Sequence, residues 1–131
     1  MRLPRILLID DEISLANNIA ETLRLKGYEV SIAPNGDKGL CAIQEQSYDV
    51  VILDLRMPGT PGLEVLKKIR TETKGAPEVN ILTGHSTIES SMEGLLHGAF
   101  DYVTKPVKIK DLVERITAAH ERKILKDERL S

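Results

Sequence analysis

An α/β fold on a parallel sheet is the class this sequence predicts, and three observations predict it. Short β-branched runs alternate five times with longer stretches of helical period, as βαβ units require. The run from Val50 to Leu53 is apolar at every position, which suits a central strand covered on both faces, whereas Glu29 to Ala33 alternates like an edge strand. Lastly, four of the five runs end on polar residues able to carry chemistry.

The strands are read at residues 5–10, 28–33, 49–54, 78–83 and 101–105. In the first helix Ala16, Ile19, Ala20 and Leu23 form an apolar stripe, and Gly27 stops it as a C-terminal cap. The second, weaker in pattern, runs through Leu40 and Ile43. In the third, Thr60 caps, Pro61 takes the first helical position, and Leu63, Leu66 and Ile69 face inward. The fourth has capping-box spacing in Ser86 and Glu89 and a face of Ile88, Met92, Leu95, Leu96 and Ala99. The fifth starts near Ile109, carries Leu112, Val113 and Ile116, and ends in a charged tail read as solvated helix or linker, with fraying at its end.

At 131 residues the chain suits one domain. Aromatic residues make up only 3%, so aliphatic side chains must fill the core. A net charge of −2 offers no basic field for a phosphate backbone, which argues against direct nucleic-acid binding by this segment. The single Cys41 rules out an internal disulfide. No apolar run approaches the roughly 18 residues of a membrane span, and no signal-peptide pattern opens the sequence, so a cytoplasmic location is expected.

Ligands of open parallel sheets sit beyond the carboxyl ends of the strands. Strand one ends there in Asp10 and Asp11, strand three in Asp54, strand four in Thr83 and strand five in Lys105. Any one of these has a plain reading as a turn or surface residue; turns do not require polar groups at four strand ends on one edge. Carboxylates about 4 Å apart repel by roughly 4 kcal/mol near a surface, so a cluster of them takes up protons or recruits a cation. Mg²⁺ fits, since it prefers oxygen ligands and leaves positions for phosphate oxygens. Asp54 then reads as a nucleophile toward phosphorus, Asp10 and Asp11 as metal ligands, Lys105 as counter-charge and Thr83 as a hydroxyl donor to the phosphoryl group.

The segments LLIDDE, VILDLRMPG, ILTGHS and YVTKPV, in this order and spacing, closely resemble the receiver domain of two-component response regulators over about residues 4–120. The resemblance implies a doubly wound, flavodoxin-like sheet of order 2-1-3-4-5 with helices on both faces, a receiver at 1–122 and a charged C-terminal extension or linker at 123–131. It implies Asp54 as phosphoacceptor, Asp11 as direct metal ligand, Asp10 as a ligand acting largely through water, and the Arg56 backbone carbonyl as a further ligand of Mg²⁺. Thr83 and Tyr102 take the switch positions, and Arg56 and His85 those that modulate dephosphorylation. Plainer roles exist for two of these: Tyr102 as a half-buried strand aromatic and His85 as a loop histidine. The Lys105–Pro106 bond is often cis in such domains. Val107 replaces a frequent phenylalanine, and Lys108 stands where a capping Asp or Ser is common, so the fifth helix is expected to begin less firmly.

The resemblance further implies a signalling domain and not an enzyme with turnover. By the same resemblance a sensor histidine kinase is expected to phosphorylate it, and an effector domain or partner protein to read the face of the fourth helix, fifth strand and fifth helix. Homodimerisation on phosphorylation is one route to output. GHSTIE and GAFDYVTKPV look most like receivers of AAA+ transcriptional activators. A phosphorylation-independent scaffold is the alternative. A phosphohydrolase of the haloacid-dehalogenase type needs an aspartate where Arg56 stands, and a flavin or nucleotide module needs a phosphate-cradling glycine loop that is absent.

Overall fold

In the computed structural model, residues 2–57, 59–73, 75–84 and 88–130 are described, the side chains of 88–91 and 130 apart. The elements alternate strictly: β1 (Arg5–Ile9), α1 (Ile13–Leu25), β2 (Glu29–Ala33), α2 (Gly36–Glu45), β3 (Val50–Asp54), α3 (Gly62–Glu72), β4 (Glu78–Thr83), α4 (Ile88–Leu96), β5 (Asp101–Thr104) and α5 (Ile109–Leu130). The strands pair in parallel in the order β2-β1-β3-β4-β5, as expected, and the predicted strand limits hold to within one residue. Strand order reverses between β1 and β3, which leaves a crevice beyond their carboxyl ends.

Every residue of β3 is buried, in keeping with its apolar run, and β2 lies at an edge. Side chains alternate across a strand. Ile6, Leu8, Val50, Ile52, Leu82 and Val103 therefore join α1 and α5 in one core, and Leu7, Ile9, Val51, Leu53, Val79 and Ile81 join α2 and α3 in the other.

Helix ends follow local chemistry. Gly27 has φ of 99°, donates its N–H to the Arg24 carbonyl, and is followed by a Tyr28 N–H bonded to the Leu23 carbonyl. This is the Schellman closure that the glycine predicts. In α2 the cap is Asn35, whose Oδ1 accepts the Lys38 N–H at 2.9 Å.

Three helix readings need correction. Pro61 is the N-cap of α3, not its first residue, and Thr60 does not cap: its hydroxyl donates to Asp37 Oδ1 at 3.1 Å. The helix opens on Gly62 because its start is pressed against the chain leaving β3; a methyl group on Gly62 would stand 2.5 Å from Leu55 Cα and 3.0 Å from the Asp54 carbonyl oxygen. Gly62→Ala is accordingly expected to cost about 2 kcal/mol in urea unfolding; an unchanged midpoint would show that the approach is not tight.

The predicted inner face of α4 is largely outside: Met92, Leu95 and Leu96 are exposed, while Gly94 and Ala99 are buried. A small residue is what lets this helix approach the sheet, since a methyl at Gly94 would fall 2.0 Å from Ile81 Cδ1. Ser86 lies outside the described residues, so its capping box is not described.

The tail of α5 is helix, one of the two readings, but it is not wholly solvated. The helix continues unbroken through residue 122, with Lys123 buried and paired to Asp127 one turn on. Glu78, only 2% exposed at the start of β4, pairs with Lys126 and lies 3.9 Å from Arg70 of α3. A buried carboxylate left without such partners is strongly destabilising, so the charge at residue 126 completes the fold. Among the described residues no helix is long and apolar enough to cross a membrane.

Candidate functional site

The parallel ladder brings the polar strand ends together. Asp10 follows β1 directly, its N–H bonded to the Ala33 carbonyl of β2. Asp54 closes β3 opposite Leu82, and Thr83 closes β4 opposite Thr104, with the Lys105 N–H bonded to the Thr83 carbonyl at 2.8 Å. Asp10, Asp54 and Thr83 are buried. The Lys105–Pro106 bond is cis.

Lys105 reaches into the crevice from the far side. Its Nζ lies 3.2 Å from Asp54 Oδ2, 3.5 Å from Asp10 Oδ2 and 2.8 Å from Glu12 Oε1. The other Asp54 oxygen accepts the Arg56 N–H at 2.9 Å, and Asp10 Oδ1 accepts the Glu12 N–H at 2.9 Å. Both carboxylates are thus held by backbone donors, each with one oxygen left facing the ammonium.

Charge in this space is unbalanced. Burial, followed by the neighbouring Asp54 charge, lifts Asp10 from the ordinary 3.8 to about 6, against the opposing pull of the Glu12 N–H and Lys105. Burial disfavours the Lys105 ammonium, but Glu12, Asp54 and Asp10 together hold its pKa above 10.5. Asp10 Oδ2 is buried with no hydrogen-bond partner among the described residues.

Oxygens of Asp10, Glu12 and Asp54 all lie within 4.8 Å of one another, a grouping able to hold a metal ion. An all-oxygen donor set with one oxygen unsatisfied fits a hard divalent cation. Asp11, expected as the direct ligand, is half-buried and outside this group, whereas Glu12 is inside it. Sequence reasoning missed Glu12 because a glutamate before a helix reads equally well as complement to the helix dipole. The signal that could have found it was its adjacency to the aspartate pair.

Tyr102 and Arg56 are more exposed. Tyr102 is 37% exposed on β5, the strand whose end carries Lys105. Arg56 is exposed and contributes its N–H to Asp54. His85 lies outside the described residues.

A family model for the response regulator receiver domain matches residues 6–117. The transcriptional regulatory protein YkoG of Bacillus subtilis is 42% identical over 114 residues, covering 87% of this chain and 50% of that protein. The DNA-binding response regulator MtrA of Mycobacterium leprae is 38% identical over 114 residues, again 87% of this chain and 50% of that one. The chain spans about half the length of these curated relatives. A response regulator receiver domain protein from Clostridium thermocellum superposes with a TM-score of 0.87 at 39% identity, covering 94% of this chain and 98% of that one. A CheY-like receiver domain protein from Methanospirillum hungatei gives 0.88 at 30% identity, with 95% and 99% covered.

Proposed function

Because the chain belongs to the response regulator receiver family, we propose that Asp54 accepts a phosphoryl group from a sensor histidine kinase and that the added charge resets the surface formed by α4, β5 and α5. The observation carrying this reading is the Asp54 carboxylate itself. It is buried at the end of β3, with one oxygen fixed by the Arg56 N–H and the other facing the Lys105 ammonium beside Asp10.

A carboxylate oxygen attacks phosphorus without a base to remove a proton. In the resting state Lys105 neutralises Asp54; after transfer the same ammonium serves a phosphoryl oxygen, a charge-assisted bond. Asp10 and Asp54, joined by Asp11 once its side chain turns inward and by the Arg56 backbone carbonyl, would hold Mg²⁺, which would neutralise phosphoryl oxygens. Thr83, buried one strand away, donates its hydroxyl to the new group, and its displacement makes room for Tyr102 to turn inward. The exposed apolar residues of α4, Met92, Leu95 and Leu96, suit this helix to meeting an effector segment or partner protein. Its relatives are transcriptional regulators, so we infer a cytoplasmic regulator of transcription whose output lies in the remainder of such a protein or in a partner.

The experiment is direct: after incubation with a small phosphodonor and Mg²⁺, an acid-labile phosphoryl group should map by mass spectrometry to the peptide containing Asp54. Label on another residue overturns the reading.

Water attacks the same phosphorus, so slow self-discharge follows. The Arg56 side chain is exposed at the pocket rim, and its bond to Asp54 comes from the backbone, which any substitution short of proline keeps. Arg56→Ala is expected to change the phosphoryl lifetime roughly threefold or more while leaving the unfolding midpoint in place. Equal lifetimes in parent and variant count against a modulating role; His85 is assigned the same role by its position.

A further inference from the structure

The phosphoryl-transfer scheme makes no use of Glu12, the third carboxylate gathered at the site. Glu12 is the N-cap residue of α1, yet its side chain makes no capping hydrogen bond. Its Oε1 instead accepts from Lys105 Nζ at 2.8 Å, closer than that ammonium comes to Asp54 or Asp10. The Glu12 backbone is fixed by Asp10 Oδ1, so the position is not accidental to a loose turn. The side chain is also 59% exposed while Asp10 and Asp54 are buried, which places this charge at the mouth through which a phosphodonor must pass.

We propose that Glu12 is a specificity-determining residue that selects against small dianionic phosphodonors in favour of donors bearing the phosphoryl group on nitrogen with less net negative charge. The inference rests on Asp54 being the acceptor. A carboxylate at the mouth acts in two ways. It occupies the ammonium that an incoming phosphoryl group needs, a cost common to all donors. It also repels each donor in proportion to that donor's charge, and this second effect discriminates. The reaction is the same in either case: an Asp54 oxygen forms a bond to phosphorus as the bond to the leaving group breaks. With acetyl phosphate the P–O bond breaks and the electron pair departs on acetate. With phosphoramidate the P–N bond breaks, and its nitrogen, already carrying three protons, departs as ammonia.

The test compares these two donors, acetyl phosphate as the dianion and phosphoramidate as the net monoanion near pH 7, at Mg²⁺ concentrations that no longer change the rate. At low ionic strength Glu12→Gln should accelerate labelling by acetyl phosphate roughly tenfold and by phosphoramidate only about threefold. The gap should shrink as salt is raised. Glu12→Asp, which keeps the charge on a shorter arm, should keep the parent's donor preference. The ratio of two donors on one protein is insensitive to any fraction that fails to fold. Equal acceleration with both donors, unchanged rates, or a gap indifferent to salt overturns the proposal while leaving Asp54 as acceptor. Absence of labelling of the parent by either donor removes the acceptor reading, and this inference with it.

Discussion

Asp54→Asn is expected to lose Mg²⁺-dependent phosphoryl labelling by at least about a thousandfold, because a carboxamide oxygen is a poor nucleophile toward phosphorus. Folding should survive. Asn retains an oxygen for the Arg56 N–H, and the change removes one negative charge from beside Asp10. The measurement is incorporation of acid-labile phosphate at fixed donor and Mg²⁺, with urea unfolding as the control for fold. The same pair of proteins tests the switch. In the parent, phosphorylation should shift the NMR signals of the Tyr102 ring, which starts 37% exposed; in the variant the donor should leave them in place. Undiminished labelling of Asp54→Asn would refute the assignment of the acceptor. A labelled parent with an unmoved Tyr102 would remove the switch alone.

A second large effect concerns stability and pH. Asp10 has its pKa raised on folding, from 3.8 to about 6, by burial first and by Asp54 next. The folded state therefore binds more protons than the unfolded state between those values, and stability falls as pH rises through that window. Below about pH 4 the group is protonated in both states and imposes no cost; above about pH 6 it is ionised in both, and the full cost is present. The interval corresponds to roughly 3 kcal/mol. Asp10→Asn does not titrate, and its oxygen still accepts the Glu12 N–H. The variant is expected to be more stable than the parent at pH 8 by about 3 kcal/mol, the attraction to Lys105 being already contained in the raised pKa. At pH 4 the two should be nearly equal. Urea unfolding from pH 4 to pH 8 measures this, and a difference that stays flat across the range sinks it. Added Mg²⁺ should stabilise the parent at pH 8 by mass action and the variant much less.

Much of this architecture was legible in the sequence because its signals are local. Continuous apolar character marked β3 as central, and Gly27 marked the end of α1. The polar strand ends were legible jointly, since the ladder register fixes which residues share an edge. What escaped depends on contacts between elements distant in the chain. Thr60 has the chemistry of a cap, but Asp37 of a different helix takes its hydroxyl. Met92, Leu95 and Leu96 have the spacing of a core face, but the helix approaches the sheet through Gly94, and amphipathic spacing does not say which side a neighbour covers. Asp11 and Glu12 are adjacent acids that sequence cannot rank; the backbone turn held by Asp10 aims the second at Lys105.

The clasp of Lys126 on Glu78 also has a geometric corollary. Because α5 is anchored on the sheet near its far end as well as its beginning, it leaves the globule as a rod of fixed direction and azimuth. Anything joined beyond it inherits a helical phase, and each residue inserted before the junction turns the attached body by about 100° and advances it by about 1.5 Å. Spacing there is thus quantised by the helix, and insertions of three or four residues preserve the facing that one or two would spoil.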